Sequence, residues 1–360
     1  MSTGSDDDEF SYEGYLLFNE VCRAKPLAET ETIPNHTNKA ESWLLDILPD
    51  YKEGNPRDPG KGYDRMLLRD YINEASVPED SKRFLETLAA FQFRRQEFDA
   101  EKAYVDGEER TVEVPSESQV SVLWSREHEQ LDKDLGFMLF RGSESDASKA
   151  KSQTQTATGD KLSIQSLTFP HQFLLWMFEK AHNGGELTDN LTIANLTNAS
   201  VTGEEDFYGG EATINKSDDI KRSEPLLLGL LRNKKLEMLE GDFRLQFEDS
   251  EAEDELGSAL LRAEIQRNKV HVKASKAGLK NAGSIEKMGL SAHLTNEFAY
   301  LHEYWEDLPD DEKYVSPEFI VELIRTCIDR DVNFERQPET VLRTQANKRG
   351  DDIADYNLSL

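Results

Sequence analysis

The sequence predicts an α+β protein with a mostly helical N-terminal domain and a C-terminal antiparallel sheet covered by helices. Three observations carry this expectation. Apolar residues in the first third recur at helical steps, with Phe84, Leu88, Phe91 and Phe98 on one side of a single helix. The middle of the chain alternates short β-favouring stretches with Gly- and Asn-containing turns. Between these regions, residues 142–160 exchange large apolar side chains for Ser, Thr, Gln, Ala and Lys, a composition that buries too little surface to order itself. At 360 residues the chain exceeds the usual single-core size of ~100–200 residues. It therefore reads as two domains, 13–141 and 161–335, joined by a linker at 142–160 and flanked by polar tails at 1–12 and 336–360.

In order, residues 40–48, 63–75 and 78–98 read as helices. A hairpin follows, 103–105 against 111–114 around Asp106-Gly107, and then two short strands at 120–124 and 136–140. Beyond the linker, Pro170 opens a helix through the apolar run 173–178, and Asn183-Gly184-Gly185 closes it. Stretches at 191–202, 211–215, 236–247, 260–266 and 269–274 form an antiparallel meander. A short helix at 225–231, capped by Ser223, interrupts it between the second and third strands. Residues 291–308 carry Leu294, Phe298, Leu301, Trp305 and Leu308 at alternating steps of four and three, the spacing of a coiled-coil seam. Such a stripe packs on the chain's own sheet or receives a partner helix through Leu294, Phe298, Leu301 and Trp305. A second amphipathic helix covers 317–330 through Ile320, Leu323, Ile324, Cys327 and Ile328.

The composition narrows the compartment and the class. The longest apolar runs, 173–178 and 226–231, are far shorter than the ~20 residues that cross a bilayer, so no membrane role is expected. Cys22 and Cys327 lack the spacing of a disulfide framework, which suits a reducing cytoplasm. The formal net charge is −29, an acidity that keeps a protein hydrated and also fits a salt-adapted host.

One island interrupts that acidity. Between positions 262 and 287 stand Arg262, Arg267, Lys269, Lys273, Lys276, Lys280 and Lys287 against Glu264 and Glu286 alone. In the strand at 269–274, Lys269, His271 and Lys273 alternate with Val270 and Val272, which places the three polar groups on one face. Clustered cations neutralise phosphates, so Arg267, Lys269, His271, Lys273, Lys276 and Lys280 are the candidate residues for a polyanion such as nucleic acid, or for an acidic protein. His271 contributes charge mainly below about pH 6.5. The competing account pairs the island with the acidic run at 248–255 just before it.

Catalytic signals are weaker. GxSxG, GxGxxG and HExxH arrangements are absent, and no catalytic residue or cofactor is assigned. His293 and Glu297 lie one helical turn apart, but two ligands make no metal site, and His302 falls on the opposite face. His171 and His182 fall at the two ends of one helix, and a terminal histidine such as His182 is more simply a cap. The segment 54–62 resembles a phosphate loop but has one residue too many between glycines and two prolines that remove amide donors. The functional expectation is a non-catalytic interaction protein whose segment 262–287 contacts a polyanion. A metal-dependent hydrolase or nuclease using Asp218, Asp219 and His271 is the first alternative, and a structural subunit of a complex the second.

Overall fold

The computed structural model describes residues 14–27, 42–66, 84–85, 88–105, 107–125, 136–203, 211–214, 220, 223–246, 258–331 and 338–355. They divide into two compact units. The first comprises Leu16–Leu167 with Gly283–Asn296; the second comprises Thr168–Ala282, the chain from Glu297 onward and the residues just before Leu16.

The first unit is built of strands, which overturns the expected helical N-terminal domain. Its strands are β1 (Tyr15–Pro26), β2 (Lys61–Arg65), β3 (Ala89–Val105), β4 (Glu108–Ser125), β5 (Gly136–Arg141) and β6 (Leu162–Ser166). They pair antiparallel in the order β2-β3-β4-β5-β1-β6. The helical reading of 78–98 rested on steps such as Phe91 to Phe98. The same sequence also holds Ala89, Phe91 and Phe93 at period two, and all three are buried on one sheet face. Long-range pairing decides between the two periods, because β3 keeps continuous register with β4 from Ala89 opposite Trp124 to Val105 opposite Glu108. Likewise the stretch at 63–75 begins as strand β2, whose Tyr63 packs on Phe93 at 5.2 Å between centroids. Of the segment 40–48, residues 42–45 form one helical turn. The expected hairpin does form, with Val105 of β3 opposite Glu108 of β4 and Gly107 at φ 83°; Asp106 lies outside the described residues.

The segment 142–160, expected as a linker, forms helix α1 (Glu144–Thr158). Ser143 caps it by accepting the Asp146 N–H. Its buried positions are Ala147, Ala150, Thr154 and Thr158, one narrow face of small side chains. Small residues let the backbone lie close on the apolar side of the sheet, where Phe91, Phe93, Val122, Trp124, Met138 and Phe140 form the core. The polar composition therefore marks a helix with a thin buried stripe.

In the second unit, β8 (Leu191–Thr202), β9 (Glu211–Ile214), β10 (Lys235–Gln246), β11 (Ser258–Gln266) and β12 (Lys269–Lys273) lie within a few residues of the five expected stretches, and β7 (Glu186–Thr188) is an additional strand. The order is β12-β11-β10-β8-β7, with β9 also on β8. Helices α2 (His171–His182), α3 (Glu224–Leu231), α4 (Ser284–Asp307), α5 (Asp310–Lys313), α6 (Pro317–Ile328) and α7 (Pro338–Arg349) follow, with short 3-10 turns at Ala277–Asn281 and Ile353–Asp355. Gly185 sits at φ 87° after α2, and a Cβ there would lie 2.2 Å from the Ile193 carbonyl oxygen, so the turn requires glycine.

Of the two readings of the 291–308 stripe, packing within the chain holds: Leu294, Phe298, Leu301 and Trp305 are all buried, which leaves the partner-helix alternative without an exposed seam. One further expectation changes. Residues 336–360, expected as a loose tail, contain α7, which buries Val341, Leu342 and Ala346. No helix among the described residues is long and apolar enough to cross a membrane.

Candidate polyanion-binding face

Period two works on β12 as the alternation requires. Val270 and Val272 are fully buried, while Lys269, His271 and Lys273 stand on the opposite face. Antiparallel register then sets their neighbours. Gln266 lies opposite Lys269 and Glu264 opposite His271 on β11. One strand further, Glu240 lies opposite Glu264 and Asp242 opposite Arg262 on β10. The polar face is thus a lattice of both signs.

The contacts balance it locally. Arg262 donates through Nε and Nη2 to the two carboxylate oxygens of Asp242, both at 2.7 Å. His271 Nδ1 lies 3.4 Å from Glu264 Oε1, and this neighbour holds the Glu264 carboxyl below its usual range although burial works against it. Lys273 Nζ stands 3.8 Å from Glu240 Oε1 and 4.7 Å from the centre of the Tyr15 ring. Burial opposes its charge, yet the Tyr15 hydroxyl and Glu240 hold its pKa above the ordinary lysine range. Glu240 itself is buried and accepts from Asn198 Nδ2.

The six expected binding residues therefore separate. His271 and Lys273 are half-buried and engaged with Glu264 and Glu240, and Lys269 is half-buried. Arg267 is exposed in the β11–β12 turn, at φ 38°, and Lys276 and Lys280 are exposed beyond the other end of β12. These three have no ion pair among the described residues. The acidic run 248–255 expected to neutralise the island lies outside the described residues, as do Asp218 and Asp219. Among the described residues, the acids that face the island are Glu240, Asp242 and Glu264. Sequence reasoning passed over Glu240 and Asp242, although their alternation with Leu239, Gly241 and Phe243 puts them on the polar side of a neighbouring strand.

The other titratable groups lie away from this face. His293 stacks on Phe84 with centroids 4.6 Å apart. His302 is buried against Phe169, Phe173 and Trp305, and its ligand atom lies within 4.8 Å of those of Glu303 and Glu306. In the loop 54–62 the Gly54 and Gly60 amides both donate to Gln96 Oε1, at 2.8 and 3.3 Å, so the donors a phosphate needs are already satisfied. In the first unit, Ser166 Oγ donates to Glu20 Oε2 at 2.6 Å, and Lys151 Nζ donates to both at 2.6 and 3.0 Å. Burial and the nearby Glu20 carboxylate push the adjacent Cys22 thiol far above its usual range, which leaves it inert.

Glu20 is the shared acceptor of that cluster. Replacing it by Ala strands a half-buried ammonium and a hydroxyl, with an expected loss of about 2 kcal/mol once partial exposure of Lys151 is discounted. Glu20→Gln retains an acceptor and should lose less. Urea denaturation of the two variants measures the difference.

No protein-family model matches the chain, and comparison with curated proteins finds no match.

Proposed function

We propose that this chain is a non-catalytic interaction protein that holds a polyanionic polymer, nucleic acid in its sharpest form, across the two ends of β12. The observation that supports the reading is the separation just described: Arg267 at one end, Lys276 and Lys280 at the other, exposed and without acid partners among the described residues. A strand rises ~3.3 Å per residue, so these ends stand roughly 15 Å or more apart. A single phosphoryl group cannot neutralise both. A polymer with a charge every ~3.4 Å along one strand can, with Lys269 contributing at the edge of the balanced face between. We place the protein in the cytoplasm, a reading that the two free, buried cysteines support.

The test is binding of labelled single- and double-stranded DNA and RNA across a salt series. The native protein is compared with a variant carrying Arg267→Ala, Lys269→Ala, Lys276→Ala and Lys280→Ala. Each lost phosphate contact removes ~0.9 from the slope of log affinity against log salt on a duplex, so the slope should fall by about 3.6 if all four cations contact phosphates. Folded native protein that binds no oligonucleotide even at low salt would sink the nucleic-acid reading.

A further inference from the structure

Strands β3 and β4 continue far beyond the body of their sheet. β2 pairs with β3 only at Phe91–Arg95, and β5 pairs with β4 only at Ser121–Ser125. Among the described residues, the hairpin from Asp99 to the turn and back to Val114 is a two-stranded arm with most side chains exposed, Tyr104 to 79%. Two-stranded ribbons are marginal on their own in water, so an arm of this length is stabilised by a surface to lie on.

The arm is built against pairing edge to edge. The register makes Val105 and Glu108 the hydrogen-bonded pair that closes the turn, so Phe98 and Pro115 form a non-hydrogen-bonded pair. Pro115 therefore removes an amide donor from the outer edge of β4, where another strand would have to bond. Its surface must engage a partner through side chains.

Those side chains have a definite charge. Lys102 pairs with Glu109 and Arg110 with Glu108. Asp99, Glu101 and Glu113 are exposed and have no cation among the described residues; Asp99 accepts only from Ser116 Oγ, at 3.3 Å. Three unneutralised acids on the arm thus face a complement on the same chain: the three unneutralised cations Arg267, Lys276 and Lys280.

We infer that the β3–β4 arm of one copy docks on the β12 cations of a second copy. The inference rests on the reading of those cations as a polyanion-contacting surface and names the arm as their protein occupant, in competition with a polymer. A reciprocal contact closes a dimer, and a one-way contact gives larger species.

Sedimentation velocity at ~0.1 M and ~0.5 M NaCl tests it, because at ~0.1 M a Debye length of about 10 Å already screens the long-range repulsion between two acidic chains, and further salt then weakens the direct contact. Native protein should self-associate at the lower salt and dissociate at the higher. Combining Asp99→Lys, Glu101→Lys and Glu113→Lys should weaken association at least ~tenfold, as should Arg267→Glu, Lys276→Glu and Lys280→Glu together, and mixing the two variants should restore it. All six positions are exposed, so folding is not at stake. As a second check, replacing 98–115 by Asn-Gly leaves Glu97 and Ser116 as a hydrogen-bonded pair around a two-residue turn, and this variant should be folded and monomeric. A native protein that stays monomeric at every concentration, or reversed variants that fail to associate when mixed, overturns the inference. Oligonucleotide binding separates the two readings: the arm variants keep it, and self-association without any such binding overturns the polymer reading alone.

Discussion

Phe243→Ala is expected to cost about 3–5 kcal/mol. Phe243 is fully buried on β10 and meets Phe298 of α4 edge to face, with centroids 4.8 Å apart. The contact joins the apolar side of the sheet to a helix that is itself buried at Leu301 and Trp305. Truncation loses the transfer energy of an aromatic ring and leaves a cavity that strand and helix cannot close without breaking pairing on both sides of β10. Phe243→Leu keeps most of the volume and should cost less than half as much, although it forfeits the ring pair, worth ~0.5–1.5 kcal/mol. Thermal unfolding reads both: at ~2–4 °C per kcal/mol the Ala variant should melt roughly 10 °C lower. An unchanged midpoint would mean that the β10–α4 contact carries no stability.

That packing was legible because the second unit states its period locally. β12 and most of β11 alternate cleanly, β8 and β10 do so between local irregularities, and turn residues divide all four, so their ends fall within a few positions of the expected ones. The first unit gives two answers at once. Phe84, Leu88, Phe91 and Phe98 step like a helix, whereas Ala89, Phe91 and Phe93 step like a strand, and only the distant β4 decides between them. The helix α1 was hidden for a different reason: its contact surface is alanine and threonine, which hydropathy scores as loop. The charge of the candidate face was half legible. Lysines close in sequence are easy to count, but their partners Glu240 and Glu264 come from other strands, and cross-strand register is what makes the middle of the island neutral. The ends escape because turns carry them away from the sheet.

Stability should also fall between pH 6.5 and 4 through His171. This residue opens α2, where the helix dipole disfavours an imidazolium. Its Nδ1 accepts the Leu236 N–H at 2.7 Å, so the neutral ring carries its proton on Nε2 and a second proton has to displace that bond. Burial, followed by the charges of Lys348 and Lys235, pushes its pKa down to about 4. Above pH 6.5 both folded and unfolded chains hold the ring neutral and the contribution is complete. As the pH drops through 6.5 the unfolded chain takes up a proton that the folded chain refuses, so stability declines until about pH 4, where the folded ring also protonates. The full difference amounts to at most about 3 kcal/mol. His171→Asn keeps an acceptor for Leu236 without a titrating charge. It should therefore be less stable or equal at pH 7 yet lose less between pH 6.5 and 4.5, before most carboxylates titrate. Urea midpoints of both proteins across that window give the comparison, and parallel curves would assign the loss to other groups.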